Sequence, residues 1–349
     1  MTLRRTSAAA ALLALTAVLA PARQASAADT GALPLASATT VGLHNTYDPA
    51  AFGFLAQALD TGTGMVELDA WTDTVTKEWK VSHSNPLGNR NNCVAAATPD
   101  RLYTGGANKD LESCLDDIRV WLGAHPGSGP LLVKLELKQG FAANRGMGPA
   151  QLDALVAAHL GPAVLRPADL LARSGGGAYA TLDEAARAGN WPARAQLAGR
   201  VLVDVIPGTV EESNPFDTLH TDVEYARHLR DLAAAGRIGE AQVFPAVHGA
   251  APGDPRTKYS DASLRPWFAV FDGDASAYAS GTDTGWYDRN HYLLVMTDAQ
   301  NVSPAISATD PAAEQARART QQLAAAHASV VSSDWRHLPE VQSLVLPRG

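Results

Sequence analysis

The sequence is short of cysteine, of positive charge and of long apolar runs. Only two cysteines occur in 349 residues, and no His-x-Cys spacing accompanies them, which argues against a thiolate metal centre. Acidic residues outnumber basic ones by 36 to 28. A surface of that sign disfavours nucleic acid and polybasic docking on anionic lipid, and it suits a bound divalent cation. Beyond the N-terminus no apolar stretch approaches the ~20 residues that cross a bilayer, so no transmembrane segment is expected. No linker, low-complexity tract or internal repeat interrupts the chain. Gly175-Gly176-Gly177 reads as a flexible loop and not as a phosphate cradle.

The N-terminus has the pattern of an export signal. Arg4 and Arg5 precede an apolar run from Ala8 to Ala20, and Ala25-Ser26-Ala27 forms an A-x-A cleavage site. The run is too short to span a bilayer, so residues 1–27 are expected to be a secretory signal peptide cut after Ala27. The arginine pair hints at twin-arginine export, without supporting flanks. Cleavage removes three arginines and no acid, which takes the formal charge from −8 to −11. The mature chain, 28–349, is expected to be one secreted, soluble and monomeric domain. Outside the cell its two thiols, Cys93 and Cys114, are expected to pair. A hydrophobic content of 46% with 18% charged residues supports a large core.

Strand and helix patterns alternate along the mature chain. Strands are expected at 39–43, 65–71, 79–83, 130–137, 201–206, 242–247, 267–271 and 291–297, with a last apolar segment at 329–334. Helical spacing marks 49–60, 109–124, 152–160 and 223–235, and a capping box (Thr181 with Glu184) starts another. Asp310-Pro311 opens the last long helix. Alternation without a break implies a parallel sheet. About eight strands in ~320 residues is the size of a (β/α)8 TIM-type barrel, whose chemistry sits at the C-terminal strand ends. A doubly wound open sheet is the fallback, but no Gly-x-Gly-x-x-Gly follows the first strand.

Polar residues gather at those strand ends. In Met65-Val66-Glu67-Leu68-Asp69-Ala70-Trp71, the period of two puts Glu67 and Asp69 on one face. Adjacent carboxylates repel, and such a pair persists where a cation or a shared proton sits between them. His44-Asn45 closes the preceding strand, His83 ends the next one, and Glu136 ends a fourth. Glu67, Asp69 and Glu136 are hard oxygen ligands, Asn45 adds a neutral one, and such a set suits calcium, then magnesium. Zinc would draw on both histidines. Two histidines flanking an acidic cluster suit phosphodiester cleavage, which needs a metal, a base and an acid.

The run His44-Asn45-Thr46-Tyr47, Glu67-Leu68-Asp69-Ala70-Trp71, His83 and Leu135-Glu136 resembles the calcium-dependent phosphoinositide-specific phospholipase C family, in its compact secreted bacterial form. Glu136-x-Lys138, the cysteine pair and Val331-Ser332-Ser333-Asp334 extend the likeness over residues 38–335. The resemblance implies a distorted (β/α)8 barrel, calcium on Asn45, Glu67, Asp69 and Glu136, and His44 and His83 as general base and acid. The inositol 2-hydroxyl would attack phosphorus and give a cyclic inositol phosphate, with a phospholipid substrate met by transient contact at a membrane surface. An arginine usually follows the first histidine in glycerophosphodiester phosphodiesterases, so His44-Asn45 favours the phospholipase. A glycerophosphodiester- or sphingomyelin-type diesterase, or a non-catalytic headgroup-binding barrel, is the alternative. Arginines common in the family's penultimate strand are replaced here by Leu294-Val295-Met296-Thr297-Asp298. Lys138 is therefore assigned to the substrate, with Lys134 as a second candidate and a structural ion pair on the face of Glu136 as the alternative role of Lys138. His248, Arg256, Lys258 and Arg289 are read as rim residues, mostly solvated.

Overall fold

The computed structural model describes residues 29–349, so the expected signal peptide lies outside the described residues. The strands are β1 (Ala38–Leu43), β2 (Met65–Asp73), β3 (Glu78–Val81), β4 (Leu131–Leu137), β5 (Val201–Pro207), β6 (Val243–His248), β7 (Val270–Asp274), β8 (Leu293–Thr297), β9 (Val330–Ser333) and β10 (Val345–Pro347). Eight of them form a closed parallel barrel in the order β1-β2-β4-β5-β6-β7-β8-β9, because β1 pairs in parallel with both β2 and β9. Runs such as Val201–Pro207 and Leu131–Leu137 are buried almost throughout. That is what a strand needs when helices cover one face and a packed barrel interior fills the other. The (β/α)8 expectation is therefore the observed architecture.

The helix Leu111–Ala124 shows how the outer ring is built. Asp110 caps it by accepting the Ser113 N–H at 3.2 Å, and its apolar face buries Leu111, Leu115, Ile118 and Leu122. Cys114, on the same face, is bonded to Cys93. Thr181 caps its helix by accepting the Glu184 N–H, whereas Glu184 turns to the Ala180 N–H, so only half of the capping box forms as drawn.

Several expectations need correction. The segment 79–83 is not a barrel strand. β3 folds back antiparallel on β2, pairing Ala70 with Val81 and Asp73 with Glu78, because the four residues between them allow a tight hairpin and no crossover. His83 thus follows a returning strand. The segment 49–60 is helical only over Leu55–Asp60, since Pro49 to Gly53 form turns. The strand expected at 267–271 begins at Val270, and Trp267 closes a 3-10 turn instead. The rim segment 272–290 contains two short helices, Ala275–Ala279 and Gly285–Arg289. β10, pairing antiparallel with β1, was not foreseen.

Removing the disulfide tests its share of the stability. It closes a separation of 21 residues, for which loop entropy assigns about 3 kcal/mol. The double variant C93S/C114S should lose about that much in urea unfolding. A loss below about 1 kcal/mol would show that the asparagine-rich loop holds itself.

Candidate metal and catalytic site

Strand register places the charges. Glu67 on β2 pairs with Lys134 on β4, Asp69 pairs with Glu136, and Lys134 pairs in turn with Asp204 on β5. Alternation then turns all five into the barrel interior, in two layers. The lower layer holds Glu67, Lys134 and Asp204, and Asp272 reaches it from β7. The upper layer, nearer the C-terminal mouth, holds Asp69, Glu136 and the next inward residue, Lys138.

Lys134 is the counterion of the lower layer. Its Nζ lies 3.0 Å from Asp272 Oδ2 and 3.8 Å from Glu67 Oε2. Burial works against its charge, but Asp272 and Glu67 hold the ammonium above its ordinary pKa. Burial, and then the Asp272 charge, pushes the Asp204 carboxyl well above its ordinary pKa.

Lys138 does the same work above. Its Nζ lies 2.7 Å from Glu136 Oε1 and 3.2 Å from Asp69 Oδ2, and Thr209 N–H adds a bond to Glu136 at 3.1 Å. Burial opposes ionisation of Glu136, but Lys138 and then Thr209 outweigh it and hold the pKa low. Asp69 moves the other way: burial, then the charges of Glu136 and Glu67, raise it to about 7. The loop after β5 closes on this layer through Gly208, where a Cβ would stand 2.4 Å from Lys138 Cα.

Glu67, Asp69 and Glu136 each offer an oxygen, and these atoms lie within 4.8 Å of one another. Both Asp69 oxygens and Glu67 Oε2 are buried without a hydrogen-bond partner among the described residues. Orphaned hard oxygens with mutually repelling charge fit calcium. Asn45 stands at the end of β1 with a positive φ of 50°, a conformation that asparagine tolerates better than most residues. Its Oδ1 accepts the Tyr47 hydroxyl at 2.9 Å, and its second lone pair is open to a cation.

His44 Nδ1 lies 3.2 Å from Asp334 Oδ1. An ionised carboxylate only accepts, so the proton sits on Nδ1 and leaves Nε2 as the basic nitrogen. Burial lowers the His44 pKa, but the Glu67 charge and then Asp334 raise it to about 9. Opposite, at the end of β6, His248 Nδ1 lies 2.7 Å from Glu212 Oε1. His44, Glu67, Lys134, Glu136, His248 and Asp272 line one pocket of about 110 Å³. His83 does not line it. It is exposed after β3, tethered through the Ser82 N–H, which donates to the Asp69 carbonyl at 3.3 Å.

Of the rim residues, Lys258 donates to the His248 carbonyl and Arg289 pairs with Asp283 on the surface. Arg256 is not solvated: it is buried, paired with Asp183 and Asp254. Asp204, Asp272 and Asp334 were not singled out from the sequence. The signal was there, since Asp204 is the one charge in Val201–Pro207 and Asp272 sits within Val270–Asp274.

No protein-family model and no curated protein matches the chain. Among solved structures, a calcium-dependent phosphatidylinositol-specific phospholipase C from Streptomyces antibioticus is 54% identical, over 91% of this chain and 100% of that one, with a TM-score of 0.88. A calcium-dependent phosphoinositol-specific phospholipase C from a Pseudomonas species is 22% identical over 91% of this chain and 96% of its own, at a TM-score of 0.66, and supports the fold alone.

The two-layer arrangement makes a paired prediction. Lys134→Met strands Asp272 and Glu67 without a counterion and should cost about 3–5 kcal/mol in urea unfolding. Asp204→Asn replaces a carboxyl whose ionisation burial already opposes and should cost under about 1 kcal/mol. Equal losses would mean that Asp204 is ionised.

Proposed function

The chain belongs to the calcium-dependent phosphatidylinositol-specific phospholipase C family, and we propose that it cleaves phosphatidylinositol to diacylglycerol and an inositol cyclic phosphate at this pocket. The observation that carries the reading is the convergence of Glu67, Asp69 and Glu136 beside the His44–Asp334 pair. Calcium on those carboxylates and the Asn45 carbonyl would neutralise the phosphodiester and polarise its phosphorus. His44 Nε2 takes the proton of the inositol 2-hydroxyl, while Asp334 steadies the imidazolium that results. The 2-oxygen forms a bond to phosphorus, the bond from phosphorus to the glycerol oxygen breaks, and His83 gives that oxygen a proton. Lys138 reaches the substrate phosphate once Asp69 and Glu136 are taken up by the cation.

A second assignment has its own support. His248 lines the pocket and His83 does not, and Glu212 on Nδ1 leaves Nε2 of His248 free to donate. The leaving group separates the two. The natural alkoxide needs a proton, worth about 10²–10⁴-fold, whereas nitrophenolate departs without one. Phosphorus NMR of wild-type enzyme with calcium should show a cyclic phosphate, absent in chelator. His83→Ala should be impaired on phosphatidylinositol and much less so on an inositol nitrophenyl phosphate, and His44→Ala should be impaired on both. That pattern in His248→Ala instead would transfer the acid role to His248.

The disulfide and the N-terminal pattern support action outside the cell. No helix among the described residues is long and apolar enough to cross a membrane, so the enzyme meets its lipid from the surface. Val75, Leu87 and Phe216 are 88%, 88% and 92% exposed, on segments that leave β2, β3 and β5 around the pocket mouth. They suit shallow insertion, which an acidic chain cannot replace with basic docking. Phe216→Ser should weaken binding to phosphatidylinositol vesicles by roughly 10- to 100-fold, from about 1.5–3 kcal/mol of apolar burial, with turnover of a soluble substrate unchanged. Equal losses on both would place Phe216 in the fold.

A further inference from the structure

Among the described residues four arginines are buried: Arg194, Arg256, Arg319 and Arg348. Three have hydrogen-bond partners for the guanidinium, although Arg348 Nη2 is left without one. Arg256 pairs with Asp183 and Asp254, Arg319 donates to the Ala299 and Pro304 carbonyls, and Arg348 donates to those of His327, Ala36 and Tyr292. Arg194 is 8% exposed, and among the described residues its guanidinium has neither a hydrogen bond nor an ion pair. Burial lowers its pKa with no carboxylate to oppose it. None of its nitrogens is fully sealed from solvent without a partner, so the charge is hydrated only through the narrow opening beside it, and arginine cannot shed its proton.

The group opens into a pocket on the N-terminal face of the barrel, at the opposite end from the acidic cluster. The pocket has a volume of about 190 Å³ and is lined by Arg194, Ser128, Trp121, Leu131 and Leu344 among others. Ser128 Oγ is also buried without a hydrogen-bond partner among the described residues. A Cβ on Gly129 would come within 3.1 Å of Arg194 Nη2, so the bare backbone there leaves the guanidinium its place. Trp121 spends its indole N–H on Asp60 at 2.8 Å and presents only its ring. One planar cation, one hydroxyl donor and an apolar wall match a carboxylate carried on a short apolar body.

We propose that Arg194 and Ser128 form a binding site for a small carboxylate on the N-terminal face of the barrel, independent of calcium and of the phosphodiester pocket. The guanidinium pairs with the carboxylate, Ser128 donates to it, and the Trp121 ring and Leu344 cover its tail.

The test uses the whole protein with calcium held constant. Thermal unfolding and calorimetry are followed with sodium butyrate, sodium acetate and sodium chloride at matched ionic strength. Butyrate should raise the unfolding midpoint saturably, acetate less, and chloride not beyond its ionic-strength effect. Arg194→Met should abolish the butyrate response. Ser128→Ala should keep the fold and weaken butyrate by roughly tenfold or more, the worth of one hydrogen bond to a charged group. Without carboxylate, Arg194→Met should be as stable as wild type or more so, and turnover of a soluble inositol phosphodiester should be unchanged. A butyrate response equal to that of chloride, or one that survives Arg194→Met, overturns the site. Failure of the phosphodiesterase assignment would leave these readouts untouched.

Discussion

Like charges cannot be packed inside a barrel without counter-charge, and the interior of this one is arranged around that requirement. Glu67, Asp69, Glu136 and Asp272 bring four carboxylates into a space that strand geometry makes narrow. Lys134 and Lys138 return two positive charges, one to each layer, and burial works against a fifth negative charge on Asp204. His44 and Asp334 cancel each other. Two negative charges remain, which is the valence of one calcium ion. Without the cation, burial and then the neighbouring carboxylates raise Asp69 to about 7, and Glu67 and then Asp334 outweigh burial to raise His44 to about 9. Metal affinity and the basicity of His44 are thus two readings of one charge balance.

Much of this was legible beforehand, for reasons that particular residues explain. A period of two is enough to put Glu67 and Asp69 on one face. The number of apolar segments and the missing nucleotide loop were enough to expect a barrel. β3 was misread because local pattern carries no direction: Trp79-Lys80-Val81 alternates as well in a hairpin as in a barrel strand. Arg256 was misread because one partner, Asp183, is distant in sequence, while the other, Asp254, caps the same turn two residues earlier. Asp204 and Asp272 were passed over as stray charges, although a lone acid inside a buried strand is costly and so calls for a reason. Register supplies it, by setting Asp204 beside Lys134, and that is a property of the closed sheet.

The two ends of the barrel handle buried charge differently. At the C-terminal mouth each lysine meets two carboxylates, and the excess negative charge is left for a metal. At the N-terminal face Arg194 meets none, and the excess is positive. The ends are separated by the packed interior, so an anion at one face and a cation at the other would act on stability independently.

The proposed proton donors are held with unequal precision, and this bears on which one the chemistry uses. His248 ends β6 and His44 directly follows β1, and each has a carboxylate on Nδ1. His83 stands on a turn, and its placement depends on the loop from Ser82 to Cys93. That loop is held by its own asparagines: Asn89 accepts the Val81 N–H, Asn91 donates to the Val81 and Lys109 carbonyls, and Asn92 donates to those of Thr46 and Phe52. Asn92 therefore ties the loop to the turn that carries His44 and Asn45, and the disulfide to Cys114 fixes its far end. The cysteine pair lies outside the pocket, yet it anchors the segment that must present His83. If His83 is the acid, the second half of the reaction depends on this covalent tether in a way that the first half, built on β1 and β9, does not.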